Sequence, residues 1–236
     1  MNEADAKIII DKIVEQVFGV SNPLSLQDFV DKFTFDIKLP QKVKDSTDGS
    51  VAWAQSVNPT KFLKQENART GGHGLDGVGL YATESIKDLN ELLSKWESIN
   101  YTTTDFSIDS INVGESDLIM NSENVFHSLF IDRCKSVVYS EAISDSDFIA
   151  ASQRSAFSTY CIRADDSVKC ANSFGVSRSA GMTNCIMMHD CGNMQDSMFC
   201  SNMNGRQYCI ANMQFEKAEY ERLRKEVIDW ILTPSI

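Results

Sequence analysis

Apolar residues recur at helical spacing in four stretches of the chain. In Glu3–Gly19, Ile9, Ile10, Ile13, Val14, Val17 and Phe18 fall at i, i+3 and i+4 and make one apolar face, and Gly19 supplies a C-terminal stop. Ser25, with Asp28 three residues on, starts a second helix whose stripe is Leu26, Phe29, Val30 and Phe33. These two are expected to pack as an antiparallel pair. A third helix is predicted over 83–99, capped by Thr83, with Ile86, Leu89, Leu93 and Trp96 on one face. The fourth spans 216–232, with Tyr220, Leu223, Val227, Trp230 and Ile231 inward and Thr233-Pro234 ending it. Between the second and third, Phe33–Pro40 alternates and predicts a strand, Lys44–Ser50 reads as a turn, and 70–79 is glycine-rich.

From about residue 100 to 215 the helical period vanishes. The chain breaks into pieces of roughly 9 to 13 residues, each a small polar turn followed by a few strand-like residues. Such short-range self-similarity marks a solenoid, and two pieces, about 20 residues, are expected to make one rung. Cys161 and Cys170, then Cys191, Cys200 and Cys209, recur at nine residues, the expected half-rung, and are read as buried small hydrophobes in stacked columns. The predicted fold is therefore α+β: a parallel β-helix (β-solenoid) with N-terminal helices and a C-terminal capping helix. It divides into a mostly helical region 1–99, solenoid repeats 100–215, and a helix 216–236 covering the open C-terminal end. The helix at 83–99 is expected at the other end or along the side.

Composition narrows the function classes. Net charge is -11, which disfavours nucleic acid and anionic membranes as partners, because both call for a basic face. It permits a basic protein partner and leaves a homo-oligomer open. No apolar run approaches a membrane span, and Met1–Ile10 lacks the pattern of a signal peptide, so a cytoplasmic protein is expected. An odd number of cysteines, seven, then argues for free thiols rather than a disulfide framework.

Three constellations are candidates for chemistry. Gln153, Arg154, Arg163, Asp165 and Asp166 place two arginines nine residues apart beside carboxylates, a polar solenoid face suited to a ligand or protein partner. Cys185, His189, Cys191 and Cys200 offer thiolate and imidazole ligands for zinc, but at spacings unlike paired zinc knuckles, so no metal cofactor is assigned and zinc is the alternative. The same stretch suggests a cysteine nucleophile, since strand alternation puts His189 and Cys191 on one side. The glycine-rich 70–79 stretch has neither a Walker lysine nor a dinucleotide fingerprint, which leaves His73 a loop histidine, and His127 is placed on a rung surface.

Tyr208, Cys209, Ile210, Asn212, Gln214 and Phe215, followed by Glu219 and Tyr220, resemble the repeat ends of a loosely defined group of uncharacterised cysteine-rich repeat proteins from small-genome, uncultivated bacteria. The resemblance covers the last third of the chain, with fewer cysteines per repeat here and a longer N-terminal half. It implies a solenoid and no activity. Asn22–Asp45 resembles leader segments of ribosomally made, modified peptides, which implies the cysteine-rich part as a substrate of peptide-modifying enzymes. The expected function is a non-enzymatic interaction or scaffold protein that presents a polar solenoid face to a protein partner. The alternatives are an enzyme with a site on that face or in the groove beside it, and a Cys/His metal protein.

Overall fold

A computed structural model describes residues 1–57, 60–70 and 83–234. From Ser107 the chain winds as a parallel β-solenoid. Glu123, Lys135, Asp147, Thr159 and Ala171 lie in register on successive coils, so one coil is 12 residues rather than the expected 20 or so. The shorter coil has a backbone cause. Leu118, Asn121, Asn124, His127, Phe130 and Arg133 all have φ between 47° and 62°, and left-handed residues recur at every third position through Ala211. Each such residue is a corner. A coil therefore has four corners and only four inward side chains.

The inward positions repeat with period three, and the interior they fill is narrow. Val125, Val137, Ile149, Cys161 and Cys185 share one column, and Ile119, Ile131 and Ile143 another, all buried. Serine is the other common inward residue, and it is fully satisfied there. Ser140 Oγ donates to the Val138 carbonyl at 2.9 Å and accepts the Ser152 N–H, one coil on, at 3.2 Å. Ser128, Ser158 and Ser179 repeat both bonds. The inward hydroxyls thus take up backbone N–H groups that the corners turn away from the inter-coil ladder.

One outer wall is apolar. Phe126, Val138, Ala150, Ile162, Phe174, Ile186 and Met198 stand 12 apart and are buried beneath three helices: α1 (Glu3–Phe18), α2 (Leu26–Phe33) and the C-terminal Lys217–Leu232. The first two start at reciprocal caps, Asn2 with Asp5 and Ser25 with Asp28, and α1 ends on left-handed Gly19. Rather than packing chiefly on each other, α1 and α2 share the wall, with Phe174 between Phe18 and Phe33 at 5.4 Å from each. The C-terminal helix packs on this wall at its last coils, with Tyr220 against Tyr208 and Trp230 near Phe199. It buries Tyr220, Ile228, Ile231 and Leu232, and Trp230 is exposed.

Hairpins also meet the two ends of the stack. At the N-terminal end, β1 (Gln41–Lys44) and β2 (Val51–Ala54) form an antiparallel hairpin. β3 (Lys61–Lys64) leads into α3 (Gln65–Thr70) and pairs in parallel with β4 (Tyr101–Thr104), which follows α4 (Leu89–Ile99). No strand forms over 33–40. There the chain turns, with the Ile37 N–H on the Thr34 carbonyl at 3.0 Å and Asp36 held by Arg163. Asp117, on the first coil, joins the hairpin region to the solenoid: its carboxylate accepts the Phe106, Leu118 and Gln55 N–H groups at 2.9, 3.0 and 3.3 Å. At the C-terminal end the Cys209–Ile210 and Met213–Gln214 hairpin stops the winding. The Asn212 amide accepts the Ser201 N–H and donates to the Ser201 carbonyl, both at 2.9 Å, replacing the strand a further coil would supply. The helix from Lys217 to Leu232 is α5. Residues 71–79, with His73, lie outside the described residues.

Two outcomes follow from these bonds. Ser140→Ala leaves the buried Ser152 N–H without an acceptor and should cost about 1–3 kcal/mol in urea denaturation, against much less for an exposed serine such as Ser21. Burial pushes Asp117 up to about 6, above its unfolded value, although three N–H groups pull the other way. Its stabilising contribution is therefore full in acid and lost as pH rises through about 6. Between pH 5 and pH 7 the wild type should lose about 1 kcal/mol relative to Asp117→Asn, read as the difference between their pH–stability curves.

Candidate functional site

The period-three backbone decides where each candidate side chain goes. Cys185, Cys191 and Cys200 point into the interior from three different columns, and all are buried. His189 points outward: its Nδ1 lies 2.7 Å from Ser177 Oγ, and its Nε2 lies 3.0 Å from Asp190 Oδ2. Strand alternation, which put His189 and Cys191 on one side, fails because a left-handed corner, Asp190, lies between them. The four are not brought together, and no group of metal-ligating side chains is assembled among the described residues.

What the thiols do instead is visible in their bonds. Every cysteine donates Sγ–H to the carbonyl two residues before it, as in Cys185 to Thr183 at 3.3 Å, Cys191 to His189 at 3.3 Å and Cys200 to Met198 at 3.3 Å. That is the bond the inward serines make. The N–H one coil on faces the sulfur in turn, Ser197 for Cys185 and Ser146 for Cys134. Conversely, the N–H of Cys134, Cys170, Cys185, Cys191 and Cys209 is accepted by a serine hydroxyl one coil earlier. Cysteine and serine are interchangeable parts of one ladder. Burial pushes the Cys134 and Cys185 thiols up to about 12, and raises Cys161, Cys170, Cys200 and Cys209, so these sulfurs stay protonated and unreactive at neutral pH. The nine-residue spacing is three sides of a four-sided coil, so Cys191, Cys200 and Cys209 lie in successive columns rather than one above another.

The polar face splits in two. Arg154 sits on one corner, where Nε donates to Asp166 at 2.6 Å, Nη2 to Asp165 at 2.6 Å and Nη1 to Gln153 at 3.0 Å. The hydrogen bond from Arg154 holds the Asp166 carboxyl below its usual range, whereas burial raises that of Asp165. On the same corner Arg178 donates to Asp190 at 2.7 Å, so Arg154, Asp166, Arg178 and Asp190 alternate in charge along the stack. Arg163, nine residues from Arg154, is on another corner. It faces the helical layer, donates to the Phe33 carbonyl at 2.9 Å and to Asp36, and stacks on Phe35 with 4.5 Å to the ring centre. His127 lies edge-on to Trp53 at 5.0 Å, with Nδ1 3.3 Å from Glu115, and burial lowers its basicity.

A surface feature of another kind is α4. Its N-cap is Asp88, not Thr83: the carboxylate accepts the Glu91 N–H at 3.0 Å. Leu89, Leu92, Leu93, Trp96 and Ile99 line one face of this helix, and none is buried. Leu89 is 66% exposed and Trp96 55%. The helix is tied down by its polar side, with Lys61 Nζ on the Glu97 carbonyl at 3.0 Å. Its periodicity was legible in the sequence; that the stripe faces outward was not, because a buried and an exposed stripe read alike.

A scan of protein-family models finds no match to this chain, and a search of curated proteins finds none either. No helix among the described residues is long and apolar enough to cross a membrane.

The cysteine ladder sets a clear expectation. Cys185→Ser keeps both bonds and should cost under about 1 kcal/mol, whereas Cys185→Ala leaves the Ser197 N–H unpaired beside a small void and should cost about 1–3 kcal/mol. Chemical denaturation of both variants separates this from a metal role, in which serine and alanine would be equally damaging.

Proposed function

We propose that the protein is a non-enzymatic interaction scaffold in which a rigid solenoid frame holds a helix out for a protein partner. The observation that carries this reading is the exposed apolar stripe of α4, from Leu89 through Trp96 to Ile99. A contiguous apolar face costs free energy in water and is the usual mark of a contact surface. An amphipathic helix recognised in a partner's groove presents residues at i, i+3, i+4 and i+7, the spacing of Leu89, Leu92, Leu93 and Trp96. The solenoid supports the same reading from the other side. Its corner arginines Arg133 and Arg154 are each saturated by neighbouring carboxylates, which stiffens the frame. The Gln153, Arg154, Asp165 and Asp166 corner then serves as a polar rim for contact, and Arg163 as an anchor of the helical layer.

Cross-linking mass spectrometry on gently lysed cells of origin tests the proposal. Lys87 and Lys95, which flank the stripe, should form cross-links to one partner protein. Those links should vanish in the Leu93→Asp/Trp96→Asp variant, while its melting temperature stays within about 2 °C of wild type because no α4 side chain is buried. Links that survive the double substitution, or links to the protein's own chain alone, would sink the reading.

A further inference from the structure

The start of the first coil is covered, and the stretch that follows is open. The Asp105 N–H donates to the Trp53 carbonyl at 3.2 Å and the Ser107 N–H to Gln65 Oε1 at 3.1 Å, so the hairpin and α3 meet β5 (Ser107–Ile108). The next strand, β6 (Ile111–Gly114), pairs in parallel with Glu123–Phe126 one coil on and ends the sheet. Among the described residues no strand pairs with its other edge. On later coils that edge is used: corner N–H groups donate to the preceding coil, Asn121 to the Ile108 carbonyl and Asn184 to the Ala171 carbonyl, each at 3.0 Å. Asp109 and Asn112 are the matching corners of the first coil, with φ of 48° and 56°, and both are exposed. Their N–H groups have no preceding coil to meet. Beside them Ile111 is 71% exposed and Ile108 38%. An unpaired edge with apolar side chains is a template for a further strand. The opening ends at Gly114, where the Met1 carbonyl occupies the place a side chain would take.

The charges around this edge select its occupant. It borders a cleft of about 360 Å³ lined by Ile111 with Asp109, Glu123, Asp147, Lys135 and Arg133. Arg133 is committed to Asp145, at 2.7 and 2.8 Å, and to Asp132. Lys135 stands in register between Glu123 and Asp147 on one wall. Three carboxylates are thus left against one lysine, which favours a basic side chain in the cleft and repels an acidic one. The same signs disfavour a second copy of this chain. Two β6 edges laid antiparallel about Asn112 would set Asp109 opposite Glu115, and like charges directly opposite destabilise a strand pair. In an added strand, side chains alternate, and a lysine or arginine can lay its stem along Ile111 with its charge between Asp109 and Glu123. We propose that the Ile108–Val113 edge takes up one short extended segment of a partner protein, apolar and basic in alternation, with one basic side chain in this cleft. The edge shares no residue with the α4 stripe, so failure of this proposal leaves the α4 reading where it stands.

The test is an NMR titration of the full chain, following backbone amides. The probe is the blocked pentapeptide acetyl-Val-Arg-Val-Arg-Val-amide. Its controls are the same peptide with glutamate for arginine, the same peptide N-methylated at alternate residues, and acetyl-arginine-amide. The basic peptide should shift the amides of Ile108, Asp109, Ile111 and Asn112 saturably, and the Asn112 amide should exchange with deuterium more slowly when it is bound. The double variant Asp109→Asn/Glu123→Gln, which alters only exposed side chains, should weaken binding roughly 5-fold or more. Ile111→Lys, which puts a charge on the edge, should abolish it. The proposal is overturned if the basic peptide gives no saturable shifts, or if the glutamate peptide binds as tightly. It is overturned equally if the N-methylated peptide or acetyl-arginine-amide matches the parent, since no strand would then be pairing, or if the double variant binds like wild type.

Discussion

A left-handed residue at every third position is the constraint on which the rest of the molecule depends. Such a conformation is costly for most side chains, and this chain adopts it with Phe130, Tyr139, Arg154 and Phe157 as well as with asparagine and aspartate. Coil-to-coil bonding outweighs that cost. Parallel ladders join equivalent positions 12 residues apart, and inward hydroxyls and thiols bond the N–H groups that the corners turn inward. Each coil is a template for the next, so the geometry is stable only as a stack.

The narrow interior explains the composition of the repeat region. One residue in three faces inward, and it has to be compact enough, without an aromatic ring, for four to meet in one plane. Ile, Val, Ser, Cys, Ala and Met meet that limit; Phe and Tyr are found at the corners and on the outer walls instead. Cysteine is doubly suited, being apolar in bulk and still able to replace the serine hydroxyl in the ladder. The cysteines that look like a chemical signature are thus part of the scaffold.

The walls divide the labour. One apolar column carries α1, α2 and α5, and the polar corners carry charge ladders satisfied within themselves. Beyond the open edge of the first coil, what remains available for recognition is the outward stripe of α4. It relies on the frame for rigidity rather than for chemistry.

The helices α1 and α2, the Gly19 stop, the Ser25 cap, the solenoid class of the repeat region, and the burial of the cysteines were all legible in the sequence, because each has a local cause: helical period, capping residues, and short polar turns between small apolar groups. The coil length was not. A period of three leaves a weak trace when the corner residues are as varied as Phe130, Ala142 and Arg154, since local preference marks only Asn, Asp and Gly as left-handed. Nine, a multiple of three, then read as half a rung when it is three quarters of one, and it put Arg154 and Arg163 on one face when they stand on two. The outward turn of α4, the seat of α5 on the apolar wall, and the seat of Arg163 on Phe35 and Asp36 come from contacts between residues far apart in the chain, and only the stacked coils bring these together.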